Sequence, residues 1–294
     1  MRITLLDGHR SWSVVTWSAS RRGESFRLAG RRVSIICPAM THPTSMLIRV
    51  TSLVTAAAVL LLARAASADE IKVVSSVGIK AVVEALAPQF EKATKHKVTT
   101  VFDLSANVKK KIDSGEAFDV AILTPPMIDD LVAKGTVVPA SRTVVARVGL
   151  GLMNKAGAKK LDVSTTDAFK KTLLDAKAIT FVPAGASGVA FLATVKKLGI
   201  ADTIKTKTAA SGDEVNANVT SGAADIAILP VSEILPVKGA QLAGVFPAEV
   251  QTFVVMTGGV SAKAKGTAAQ EFVAFLMKPG NDAVVREKGM ERAK

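Results

Sequence analysis

The sequence predicts an α/β fold of two lobes, each a mostly parallel sheet flanked by helices, with two crossing strands as the hinge. Two observations carry this reading. From Glu70 onward, short apolar runs of β type alternate with stretches of helical periodicity, the pattern of a sheet layered with helices. Two long extended runs, Val144–Leu152 and Ala248–Met256, enclose a stretch with βα units of its own, as when one lobe is inserted into another.

Taken in order, Ile71–Val74 is a short strand. Gly78–Lys95 follows as a helix with Ile79, Val82, Val83, Leu86 and Phe90 on one face. Pro88 lies inside that helix and is expected to kink or break it, since proline lacks an N–H and crowds the preceding turn. Val98–Phe102 is the second strand, and Asn107–Asp113 a lysine-rich helix stopped near Gly115. Phe118–Leu123 is a third strand closed by Pro125-Pro126, and Ile128–Ala133 a helix ended by Gly135. Thr143–Met153 is extended. Ser164–Ala176 is helical, with Ser164, Thr165 and Asp167 available to cap its first turn. Strand Ala178–Val182 leads through Pro183-Ala-Gly-Ala-Ser-Gly188 into a helix over Val189–Leu198. A helix over Asp213–Thr220 precedes the buried-type strand Asp225–Leu229, which Pro230 ends. Gln251–Met256 is the last strong strand, and Thr267–Met277 and Asp282–Lys288 are closing helices.

Ahead of this domain, Arg49 precedes an apolar run of about a dozen residues, and Ala66-Ser67-Ala68 has the small-x-small form that signal peptidase cuts. The run falls short of the ~20 residues a bilayer span requires. Residues 46–68 are therefore read as a cleaved signal peptide, and residues 1–45 as a non-native extension or a long n-region outside the fold. The lobes are assigned as 69–147 with 250–294, and 148–249. Such a chain works outside the cytoplasm.

Excluding the leader changes the charge. Nine of the 38 basic residues and two of the 25 acidic ones lie in residues 1–68, so the exported part has a net charge of +6 rather than +13. Its bases are mostly lysines mixed with acids, a solvated surface, and its aromatics are phenylalanines in apolar runs; no nucleic-acid partner is expected. The single cysteine, Cys37, precedes the leader, which removes disulfides and thiolate catalysis from the exported part. His96, its one histidine, sits between Lys95 and Lys97 and is expected at the solvent. No metal-ligand spacing, nucleophile elbow, P-loop or dinucleotide fingerprint is present, so neither metal nor cofactor is expected.

Small hydroxyl residues recur where a strand stops and a helix starts: Ser75-Ser76, Ser105, Thr124 and Ser187. In open α/β sheets ligands bind beyond the carboxyl ends of the strands. Helix starts there present free N–H groups and a partial positive charge, a site for an anion. Helix capping alone is the other use of each hydroxyl. Arg147, in an apolar run beside Gly149 and Gly151, is a candidate to grip a carboxylate, or else an inter-lobe ion pair.

The pieces Val74-Ser75-Ser76, Ala87-Pro-Gln-Phe-Glu-Lys92, Ser114-Gly-Glu-Ala-Phe-Asp-Val-Ala-Ile122, Lys196-Lys-Leu-Gly-Ile200 and Ser221-Gly-Ala-Ala-Asp-Ile-Ala-Ile228 occur in order over nearly all of Asp69–Lys294. In these the chain resembles the type II periplasmic solute-binding proteins of ABC transporters, in their molybdate-binding-protein-like branch. The resemblance implies the type II periplasmic-binding-protein fold, a monomer in the periplasm, a small anionic ligand between the lobes, and delivery to an ABC permease in the inner membrane. It puts the oxyanion-holding hydroxyls on Ser76 and Ser105, and backbone donors near Ala186 or Ser187 and near Val215. The chain departs from that branch at Pro230, where a tyrosine is expected, and at Asp103-Leu104-Ser105-Ala106, which replaces a glycine- and serine-rich loop. Both changes argue against molybdate and leave other oxyanions or a small organic carboxylate open. The rival readings are an enzyme on the same scaffold, a lyase or dehydratase with Asp103, Glu233 or Arg147 as its acid or base, and a sensor or adhesion module with a vestigial cleft.

Overall fold

The computed structural model describes residues 68–293, together with a short antiparallel ribbon pairing Arg27–Leu28 with Arg31–Arg32. The readings of residues 1–45 as an extension and 46–68 as a signal peptide lie, Ala68 and that ribbon apart, outside the described residues. No described helix is long and apolar enough to cross a membrane.

The first lobe opens with β1 (Glu70–Ser76), a 3₁₀ turn at Val77–Ile79, α1 (Lys80–Thr94), β2 (Lys97–Asp103), α2 (Ser105–Asp113), β3 (Val120–Leu123) and α3 (Pro125–Ala133). The long strand β4 (Thr143–Lys155) carries the chain into the second lobe. There α4 (Thr166–Asp175), β5 (Ile179–Phe181), α5 (Ala186–Lys197), β6 (Thr206–Thr208), α6 (Gly212–Ser221), β7 (Ile226–Pro230), α7 (Val231–Ile234) and β8 (Ala240–Val245) follow. Strand β9 (Phe253–Val260) returns to the first lobe, which α8 (Ala268–Leu276) and α9 (Asp282–Glu287) complete.

The strand order is β2-β1-β3-β9-β4-β7-β5-β6, with β8 also on β4. Each lobe has a parallel core, β2-β1-β3 in one and β7-β5-β6 in the other, and the crossing strands β4 and β9 join antiparallel. β4 belongs to both lobes: Thr143–Gly149 pairs with β9, whereas Leu150–Met153 pairs with β7. At the changeover Gln251 acts as a staple. Its Oε1 accepts from the Leu150 N–H at 2.8 Å, and its Nε2 donates to the Leu150 and Phe246 carbonyls.

Apolar periodicity does the packing. Val82, Val83, Leu86 and Phe90 on α1 meet Phe272 and Leu276 on α8, with the Phe90 and Phe272 rings edge to face at 5.2 Å. The same cluster continues beneath the crossing strands to Phe169, Phe181, Phe191 and Phe246 of the second lobe. The fully buried Phe246 ring lies 4.6 Å from Phe169.

Three expectations need correction. α1 runs unbroken through Pro88, which sits on its exposed face, where the carbonyl deprived of a donor can turn to water. His96 is not at the solvent. Its side chain is 12% exposed, stacks on Phe90, and accepts from the Asp69 N–H through Nδ1 at 3.1 Å. α5 begins at Ala186 rather than Val189, so the Ala186-Ser187-Gly188 segment is the first helical turn rather than a loop.

Candidate functional site

The parallel registers bring the chemistry to one edge. Ser76 lies opposite Asp103, and Ser75 is flanked by Phe102 and Ile122, so the ends of β1, β2 and β3 align and Ser76, Ser105 and Thr124 emerge together. Ser76 is buried and caps the 3₁₀ turn, its hydroxyl accepting from the Gly78 N–H at 3.4 Å. Ser105 opens α2. Leu104, ahead of it, takes the Asn107 and Val108 amides on its carbonyl, and the Ser105 hydroxyl is buried with no hydrogen-bond partner.

From the second lobe, Ser211 caps α6 in a capping-box pattern with Glu214: the Glu214 N–H donates to Ser211 Oγ and Glu214 Oε2 accepts from the Ala210 N–H. Helix geometry leaves the first amides, Gly212 and Asp213, without intrahelical acceptors. Between the lobes lies a cleft of about 560 Å³, lined among others by Lys80, Phe102, Asn107, Ser211, Asn216 and Glu233. That volume suits a small organic molecule. The Lys80 ammonium stands over the Phe102 ring at 5.8 Å and 3.8 Å from Glu84.

Glu233 has the most unusual position. Pro230 ends β7 and turns the chain into α7; Ser232 Oγ then donates across the gap to the Gly78 carbonyl at 2.7 Å. The Glu233 carboxyl is thereby wedged between the lobes, its oxygens 3.7 Å and 3.6 Å from where side chains on Gly78 and Gly212 would begin. It keeps a narrow opening to the cleft but has no hydrogen bond or ion pair with any described residue, and desolvation pushes its pKa up to about 7. Asp103 contrasts with it. Its partial burial would raise its pKa, but hydrogen bonds from Asn107, Lys111 and the Leu104 amide outweigh that and hold it below the usual carboxylate range. Asp103 is thus an ionised strut.

Set against the sequence reading, the seven expected ligand residues lie behind or away from the cleft lining. Ser76 and Ser105 sit one residue behind it. Thr124 stands at the same strand edge, ahead of the two prolines that open α3. Ala186 and Ser187 start α5, whose Gly185 Cβ position is 3.8 Å from the Leu104 side chain; Leu104 crosses the gap and joins the second lobe's apolar cluster. Two assignments are corrected. The Val215 amide is engaged with the Ser211 carbonyl at 3.1 Å and its side chain is fully buried, so the free donors lie one turn earlier, at Gly212 and Asp213. Arg147 does not reach the cleft: its guanidinium pairs with Glu291 at 2.7 Å and lies over the Phe253 ring at 4.3 Å, both on the first lobe. Among the described residues no group of His, Cys, Asp and Glu is arranged to hold a metal ion. Ser211 and Gly212 were missed, although Ser211-Gly-Asp-Glu214 is a readable capping box.

Two α/β lobes joined by crossing strands, with helix starts facing each other across a gap, make a solute-binding fold of the type II, molybdate-binding-protein-like kind. The chain belongs to the bacterial extracellular solute-binding protein family, which it matches over residues 71–291. It is 26% identical over 228 residues to an aconitate isomerase from a Pseudomonas species, covering 74% of this chain and 86% of that one. It is 28% identical over 246 residues to the molybdate-binding protein ModA of Azotobacter vinelandii, covering 78% and 92%. A solved periplasmic molybdate-binding protein from Azotobacter vinelandii superposes with a TM-score of 0.62 at 22% identity, over 76% of this chain and 100% of that one.

Proposed function

We propose that this protein is the periplasmic receptor of an ABC importer, a monomer freed by cleavage after Ala68, that captures a small anion between its lobes and presents it to an inner-membrane permease. The lobes are taken as 69–147 with 250–294, and 148–249. The observation that carries the reading is the cleft itself, lined by Lys80 and by Gly212 and Asp213 at the start of α6, whose amides lack intrahelical acceptors, with the Ser76 and Ser105 hydroxyls one residue behind its lining. Ligand bridging both sides favours the closed arrangement and stabilises the fold by mass action. A thermal-shift screen of small carboxylates and oxyanions is therefore expected to return a concentration-dependent rise for at least one. Ser76→Ala and Ser105→Ala are each expected to weaken that ligand by about 1–3 kcal/mol. Unchanged affinity in both variants removes the hydroxyls from the site.

A second reading is favoured by one observation. Glu233 combines a pKa near neutrality with a place in the cleft, as a general base requires, and the chain is similar to an aconitate isomerase over most of its length. In this reading Glu233 removes a proton from the methylene of a small unsaturated polycarboxylate and a proton returns at the other end of the allylic system. Incubating the protein with either aconitate isomer in D₂O and following deuterium by NMR tests it. Turnover in the native protein and none in Glu233→Gln supports it; no exchange above background removes it.

A further inference from the structure

The polar groups of the cleft are unevenly matched. For a negative charge it offers the Lys80 ammonium and the first amides of α6. What remain unsatisfied are acceptors. The Glu233 carboxyl meets no donor among the described residues, and Asn216, also in the lining, has its Oδ1 buried without a partner. A carboxyl that opens to the cleft and has no donor beside it marks a place where a ligand can bring one of its own.

We propose that Glu233 sets the ligand class of this cleft: it takes a small hydroxycarboxylate, whose hydroxyl donates to the Glu233 carboxyl while its carboxylate lies toward Lys80 and the start of α6. The inference rests on the binding-protein reading above and narrows its ligand. Sulfate and molybdate carry acceptors only, so they leave Glu233 unpaired and meet its charge head on. None of the neighbouring charges neutralises Glu233. Lys80 and Glu84 lie beside each other on α1, and Asp103 at the end of β2 is held by Lys111. Asp213 and Glu214 open α6, Glu287 and Lys288 at the end of α9 pair together, and Arg147 on β4 is committed to Glu291.

Titration calorimetry at pH 8 on matched pairs, malate with succinate and citrate with tricarballylate, together with sulfate and molybdate, tests the assignment. The hydroxylated member of at least one pair is expected to bind about tenfold or more tighter than its partner, because a site built to meet a hydroxyl rejects the analogue lacking it. Glu233→Leu is expected to bring that pair within about twofold, since it removes the acceptor. Glu233→Gln keeps an acceptor oxygen without the charge, so it is expected to retain the hydroxyl preference and to bind the oxyanions more tightly than the native protein does. If succinate, tricarballylate or an oxyanion binds the native protein as tightly as the hydroxy acids, the ligand class is overturned and the binding-protein reading stands. If nothing in the panel binds, both fall. Should the leucine variant fail to fold, the native panel and the glutamine variant decide the question.

Discussion

Replacing Glu233 with glutamine is expected to stabilise the ligand-free protein above about pH 4.5, with the full effect reached at neutral and alkaline pH. The folded chain holds this carboxyl at a pKa of about 7 against an ordinary 4.5, because burial between Gly78 and Gly212 strips its water and no described cation or donor replaces it. In the unfolded chain the group is ionised from about pH 4.5 upward. Between the two values the folded state binds the extra proton, so stability falls as pH rises through that window and stays low above 7. The full difference is worth on the order of 3 kcal/mol, an upper figure because the positive start of α6 nearby works in the opposite direction. For a domain of this size it corresponds to about 6–12 °C in melting temperature. Below about pH 4.5 both states hold the proton, and native and glutamine proteins are expected to melt together. Melting curves of the two proteins from pH 4 to 9 decide it. Two parallel pH profiles would falsify the claim that Glu233 is uncompensated. Such strain at a site is what selection for binding leaves in place.

Gly188→Ala is expected to be the most damaging single methyl in the second lobe. A Cβ at that position would lie 1.9 Å from the Val182 carbonyl oxygen and 2.8 Å from its carbon. Both are backbone atoms, so no rotamer relieves the contact, and the β5–α5 connection must move as a whole. The cost is expected at or above the upper end of the about 1–3 kcal/mol typical of overpacking. The displaced turn also carries Gly185, which Leu104 packs against from the first lobe, so ligand binding should weaken with stability. Gly280→Ala is the control. Nothing lies within 4 Å of its Cβ position, and the change should fall within about 0.5 kcal/mol. Equal denaturation midpoints for the two variants would show that the turn yields without cost.

Much of the scaffold was legible because its signals are short-ranged. β1 and α1 were read from a short apolar run and from helical spacing within a few residues, and Val82, Val83, Leu86 and Phe90 do point into the core. Elements with weak local signals escaped. β6 is three exposed residues, β8 an edge strand of mixed burial, and α7 a single turn after Pro230. Ser76 and Ser105 could be nominated from the sequence because strand ends and helix starts are local features. Which of those ends form a site is a different matter, and Leu104, read as part of an altered loop, proved to bridge the lobes.

By itself the sequence determined the α/β alternation, the insertion of one lobe into another and the placement of hydroxyls at strand ends, since all depend on periodicities and turn chemistry within a window of a few residues. Only the tertiary structure decided that Arg147 belongs to Glu291, 144 residues away, and that Glu233 is wedged between Gly78 and Gly212. The physical reason is that a side chain's charge state and partners depend on what the fold packs around it. For Glu233 that surrounding comes from both lobes at once, and no local pattern encodes their meeting.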